Sequence, residues 1–94
     1  MAQTRRQQIV ERLAEAEWEF DELRRDLGLT VKVLEEDLRH IERSVRAGGQ
    51  RLVFRPARCE VCDFVFKSTA PHPPGRCPSC RDRRISGPWF RITS

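Results

Sequence analysis

Cys59-Glu60-Val61-Cys62 and Cys77-Pro78-Ser79-Cys80 are the stretches on which the reading of this chain turns. They hold all four cysteines of the protein, and the fourteen residues from Asp63 to Arg76 separate them. Two C-x2-C pairs at such a separation are a strong signature of a tetrahedral metal site. The reason is geometric. Two cysteines three positions apart in a tight turn point both sulfurs at one ion, and a second such turn supplies the other two. Four thiolates about 2.3 Å from Zn2+ complete a closed shell with no open position for a substrate. One structural zinc ion held by Cys59, Cys62, Cys77 and Cys80 is therefore expected.

Two other readings of the cysteines stand beside zinc. Disulfides need an oxidising compartment, and the stretch from Met1 to Gln8 leads into no apolar core of the signal-peptide kind. An iron site of four thiolates is the second, because Cys-Pro-x-Cys also occurs in rubredoxin-like sites. No apolar run approaches the ~20 residues of a membrane span. A soluble, cytoplasmic protein is expected.

Ninety-four residues allow one small domain or two very small ones. Aromatics are few and a third of the chain is charged, so the core is modest and the cysteine-bearing half needs the metal as a staple. The formal charge is +4, and a zinc ion on four thiolates brings it to about +2. Glu11 to Asp37 carries 4 basic and 10 acidic residues; Leu38 to Arg58 carries 6 basic and one acidic. An acidic front thus precedes a basic middle, which is compatible with nucleic acid without demanding it.

Upstream of the cysteines the periodicity is helical. Thr4-Arg5-Arg6-Gln7 reads as a capping box, and Ile9, Val10 and Leu13 follow at helical spacing, giving a first helix over about 5–16. Trp18 and Phe20 are expected in the core where this helix turns into a second, over 21–27. Gly28 is its natural left-handed stop, and Thr30 a good N-cap for the next helix. That third helix is expected over Val31 to Ala47, with Leu34, Leu38, Ile41 and Val45 on one buried stripe. Short helix, glycine turn and longer helix make a helix-turn-helix pattern.

Arg51-Leu52-Val53-Phe54-Arg55 reads as a strand, one arm of a small wing, and Pro56-Ala57 marks a module boundary. Further on, Phe64-Val65-Phe66-Lys67 is a strand candidate, the run from Ser68 to Gly75 a proline-rich loop carrying His72, and Ile85 the start of another strand. His72 reads as a solvated loop histidine and His40 as a helix-surface or packing residue, neither of them as a ligand. Trp89 or Phe90, with Phe64 and Phe66, could cover the metal site; core packing is the expected role of these aromatics and stacking on bases the alternative. The fold class is α+β: a three-helix, winged-helix-like module over 1–56, then a four-cysteine zinc ribbon over 57–94.

With both halves read, the chain resembles a family of small predicted transcriptional regulators of archaea and bacteria. In that family a helix-turn-helix domain is fused to a C-terminal zinc ribbon. The resemblance spans nearly the whole chain and rests on Asp37-Leu38-Arg39-His40-Ile41, Arg43-Ser44-Val45-Arg46 and Pro56-Ala57-Arg58-Cys59 with Cys62. It continues through Phe64-Val65-Phe66-Lys67, Arg76-Cys77-Pro78-Ser79-Cys80 and Phe90-Arg91-Ile92. It implies zinc on the four cysteines and makes the third helix the recognition helix. The chain departs from zinc knuckles at Asp63 and Arg81, where glycine is common because the backbone there needs φ > 0. Arginine tolerates that region poorly, so the second turn is expected to differ in shape.

A DNA-binding transcriptional regulator follows from this reading. Lys32, Arg39 and Arg43 are the expected contacts, with Arg51 and Arg55 supporting. The competing structural reading is an ion-paired helix face, since Glu35–Arg39, Glu36–Arg39 and Glu42–Arg46 have the right spacing. A second functional reading is a protein-interaction module within a transcription or RNA-processing assembly. A third is RNA binding through Lys67, Arg81, Arg83 and Arg84. Half-site recognition would favour a homodimer, although no coiled-coil heptad supports one. An enzyme is not expected, because no nucleophile–base constellation or phosphate-binding glycine loop is present and the metal shell is closed.

Overall fold

Leu34, Leu38, Ile41 and Val45 lie one above another on a single helical face, and that stripe is the centre of the larger core. The computed structural model describes residues 3–67 and 71–94. Its helices are α1 (Arg5–Glu15), α2 (Phe20–Leu27) and α3 (Val31–Ala47). Their ends follow the local chemistry of the chain. Thr4 and Gln7 form the reciprocal capping box at the start of α1. Gly28 ends α2 at φ 66°, and the Thr30 hydroxyl accepts from Val33 N–H to start α3. Ile9 and Leu13 of α1 and Phe20 and Leu23 of α2 are fully buried against the α3 stripe. Each contributes about 1.5–3 kcal/mol by leaving water.

The strands are β1 (Trp18–Glu19), β2 (Arg51–Arg55), β3 (Arg58–Cys59), β4 (Ile85–Ser86) and β5 (Trp89–Thr93). Three of them form an antiparallel sheet in the order β1-β5-β2, while β3 and β4 pair by themselves. Strand β5 is the middle strand of the larger sheet. It places Phe90 and Ile92 in the helical core, where Phe90 meets Phe20 and Phe54 at ring-centroid distances of 6.4 and 5.5 Å. Residues 57–88 are therefore an insertion between two neighbouring strands of one sheet, and the last strand of the expected 57–94 module lies in the sheet of 1–56.

Several expectations change with this pairing. Phe90 does not cover the cysteines, because cross-strand pairing draws it into the helical core, and Trp89, its neighbour along β5, lies beneath the Arg55 guanidinium instead. The small cluster beneath the cysteines is built instead from Ala57, Cys59, Phe66 and Cys77, with Phe64 and Ile85 packed on it. Phe64 and Phe66 meet edge to face at 5.4 Å. The stretch 64–67 makes only a bridge, Arg58 to Val65, rather than a strand. Trp18 packs on the helical core at the junction of α1 and α2, as expected, and does so from the short strand β1, opposite Phe90. Of the loop expected over 68–75, residues 68–70 lie outside the described residues.

Candidate metal centre

Each C-x2-C pair sits in a turn with the same hydrogen bonds. In the first, Cys59 N–H donates to Phe64 O at 2.9 Å, and Asp63 N–H donates to Cys59 O at 3.1 Å. In the second, Cys77 N–H donates to Asp82 O at 2.9 Å, and Arg81 N–H donates to Cys77 O at 2.8 Å. Asp63 and Arg81 occupy the same left-handed conformation, with φ of 62° and 63°. The expected difference between the turns is thus absent: the arginine takes the conformation that glycine would take. The bond from its N–H to Cys77 O, beside the bond from Cys77 N–H to Asp82 O, holds it there, although the backbone region is costly for a side chain larger than hydrogen.

The matched turns bring the four sulfurs within 4.8 Å of one another. Cys59 and Cys80 sulfurs are 3.5 Å apart, and those of Cys62 and Cys77 are 3.6 Å apart. Sulfurs about 2.3 Å from a central ion form a tetrahedron with edges of about 3.8 Å. The four cysteines are therefore positioned to hold a metal ion such as zinc. Within each pair the first cysteine is buried and the second is exposed.

The thiols differ in acidity. Burial works to raise Cys77, but the N–H groups of Cys80 and Ser79 and the thiols of Cys62 and Cys59 outweigh it and hold the group at about 7. The Asp82 N–H acts to lower Cys80, yet burial and the three surrounding thiols push it up to about 12. Four sulfurs this close cannot all ionise without a cation between them, so metal binding displaces protons. Arg58, Arg76 and Arg81 each adjoin one of the four cysteines in sequence and are exposed around a site that becomes net negative when loaded.

The residues expected to touch nucleic acid divide into two groups. Lys32, Arg39 and Arg43 are exposed on α3 and, seven and four residues apart in turn, share the face opposite the buried stripe. Among the described residues none of the three enters an ion pair: Glu35–Arg39 and Glu36–Arg39 do not form, and Glu42 pairs with Arg46 at 2.9 Å. Arg51 is exposed on β2 opposite Thr93. Arg55 is engaged elsewhere. Both its Nε and Nη2 donate to Glu17, at 3.1 and 2.7 Å, and its guanidinium lies 3.8 Å over the Trp89 ring. Of the candidate RNA contacts, Arg84 is bonded to Asp82 at 3.0 Å, while Lys67, Arg81 and Arg83 are exposed.

Asp37 was not singled out by sequence reasoning as a structural group. It is 1% exposed, accepting from Arg5 Nε at 2.5 Å, Arg5 Nη2 at 2.9 Å and Arg6 Nε at 3.0 Å. Both arginines belong to the first turn of α1, which has no acidic residue of its own. Two adjacent arginines opening a helix were the available signal. His72 is exposed, and its Nδ1 meets Glu35 Oε1 on α3. His40 is exposed and lines a groove of about 610 Å3 between α1 and α3. Among the described residues no helix is long and apolar enough to cross a membrane.

Comparison with known proteins gives the chain its relatives. The solution NMR structure of protein PF0610 from Pyrococcus furiosus is similar over 100% of this chain and 95% of its own, with 33% identity and a TM-score of 0.78. No curated protein matches. The family model described as PF0610-like, N-terminal, matches residues 4–53. On that match and on the full-length likeness, the chain belongs to the PF0610-like family.

Proposed function

We propose that the protein is a DNA-binding transcriptional regulator that reads duplex DNA through α3 and carries one structural zinc ion. The observation that carries the reading is the outward ridge of α3. Lys32, Arg39 and Arg43 lie on one face with no acidic partner among the described residues. That ridge follows a short helix and a glycine turn, the arrangement in which a second helix is offered to the major groove. The order of helices and strands, with β2 and β5 adjacent, supports a winged-helix arrangement with a zinc ribbon in the wing position. In this reading Arg51 assists phosphate contact, and Arg55 serves the fold through Glu17 and Trp89. The zinc has no catalytic role, because four thiolates close its shell. The proposed setting is the cytoplasm, where thiols stay reduced.

The test is binding of zinc-loaded protein to genomic DNA fragments across a salt series, with RNA as competitor. Enrichment of particular fragments, with log affinity falling linearly against log salt, is expected. Removing both Arg39 and Arg43 side chains should lower affinity and reduce the salt slope by about 2. Equal binding by the folded double variant refutes the assignment of α3. Preference for RNA, or a stable protein partner with no salt-sensitive nucleic-acid binding, replaces the DNA reading altogether.

A further inference from the structure

Glu35 lies on α3 within one turn of both Lys32 and Arg39, off the buried stripe, yet its side chain is only 17% exposed. The group that meets its carboxylate is His72, from the segment that runs into the second cysteine pair. Pro71, Pro73 and Pro74 around that histidine are half-buried, so this run lies against the protein rather than standing in solvent. From His72 to Cys77 the chain reads Pro73-Pro74-Gly75-Arg76. Two adjacent prolines fix their φ near −65°, and five residue steps at about 3.1 Å span roughly 15 Å. A metal ion that fixes Cys77 therefore restricts where His72 can lie. The same contact draws one of the two carboxylates of the α3 front, Glu35, away from the basic ridge and leaves Glu36 exposed.

We propose that His72 and Glu35 form an internal contact that couples occupancy of the four-cysteine site to α3. Loading the site holds the tether and sets His72 on Glu35. By linkage, the helix that receives His72 strengthens metal binding by the same factor. The inference goes beyond DNA binding and does not require it, since both ends of the coupling lie within the chain.

Zinc affinity of the full chain, measured by competition with a chromophoric chelator, tests it without any nucleic acid. His72→Ala and Glu35→Ala should each weaken zinc binding by about two- to fivefold, the range for one exposed pair. The double variant should bind no more weakly than the weaker single, because both changes remove one contact. Glu36→Ala, one position along the helix, should bind zinc as the unaltered chain does. Should Glu35→Ala lower helical circular dichroism, His72→Ala alone carries the test. Zinc affinity unchanged in His72→Ala overturns the proposal, as do single effects that multiply in the double variant.

Discussion

Asp37→Asn tests how the two ends of the helical lobe are joined. The substitution keeps the shape of the side chain and removes its charge. The carboxylate is 1% exposed and accepts three bonds from Arg5 and Arg6, whose side chains remain 47% and 45% exposed. An amide in its place presents a donor to a guanidinium that has only donors. Hydrogen bonds to charged groups contribute about 1.5–3 kcal/mol, and breaking a buried pair costs about 3–5 kcal/mol. The arginines regain water on release, which places the cost low in that span, at about 2–3 kcal/mol. Urea midpoints at neutral pH, with zinc saturating, give the measurement. The pH dependence supplies a second signature. Hydrogen bonding from Arg5, and then from Arg6, holds the Asp37 carboxyl below its ordinary range against the opposing effect of burial. A depressed carboxylate stabilises the fold above its unfolded value near 4, and that contribution is lost as pH falls through the folded value. The gap between the two proteins should therefore be full at neutral pH and shrink below about pH 4. A loss under about 0.5 kcal/mol at neutral pH, or a gap that does not narrow in acid, refutes the assignment of Asp37 as the ion-paired anchor.

Three further outcomes are expected. Gly87→Ala places a Cβ 2.5 Å from Trp89 Cζ3 and 3.1 Å from Ala57 Cα, at φ +85°, and should destabilise by at least about 2 kcal/mol in the same urea assay. A neutral result there means that the exit of the cysteine lobe is not packed on Trp89. Arg55→Ala loses the Glu17 pair and the stacking on Trp89; it should cost about 0.5–1 kcal/mol of stability and leave any DNA affinity nearly unchanged, the reverse of the Arg39 and Arg43 change. Elemental analysis should find one zinc per chain, and Cys77→Ser should abolish it, whereas retained stoichiometric zinc would rule out a four-sulfur site. Chelation should leave most helical circular dichroism in place, because α1, α2 and α3 draw on a core that the cysteine cluster does not share.

The sequence by itself determined what depends on near neighbours. Helices end where Thr4, Gly28 and Thr30 say they end, since capping bonds run between residues three or four apart. The four cysteines positioned to hold a metal ion were legible for the same reason: two turns of four residues supply them, and few other chemistries need that spacing. The tertiary structure decided what depends on distant pairs. Glu19 pairs with Trp89 and Phe54 with Phe90, so the final strand returns to the first sheet and makes residues 57–88 an insertion. No local rule gives that partner, because an isolated apolar strand fits any sheet edge of matching pattern. Asp37 with Arg5 and Arg6, Arg55 with Glu17, and Glu35 with His72 likewise join residues 31 to 38 apart. Which exposed charge stays open to a partner and which is taken up by the fold is settled by those long-range contacts, and sequence spacing along one helix cannot show them.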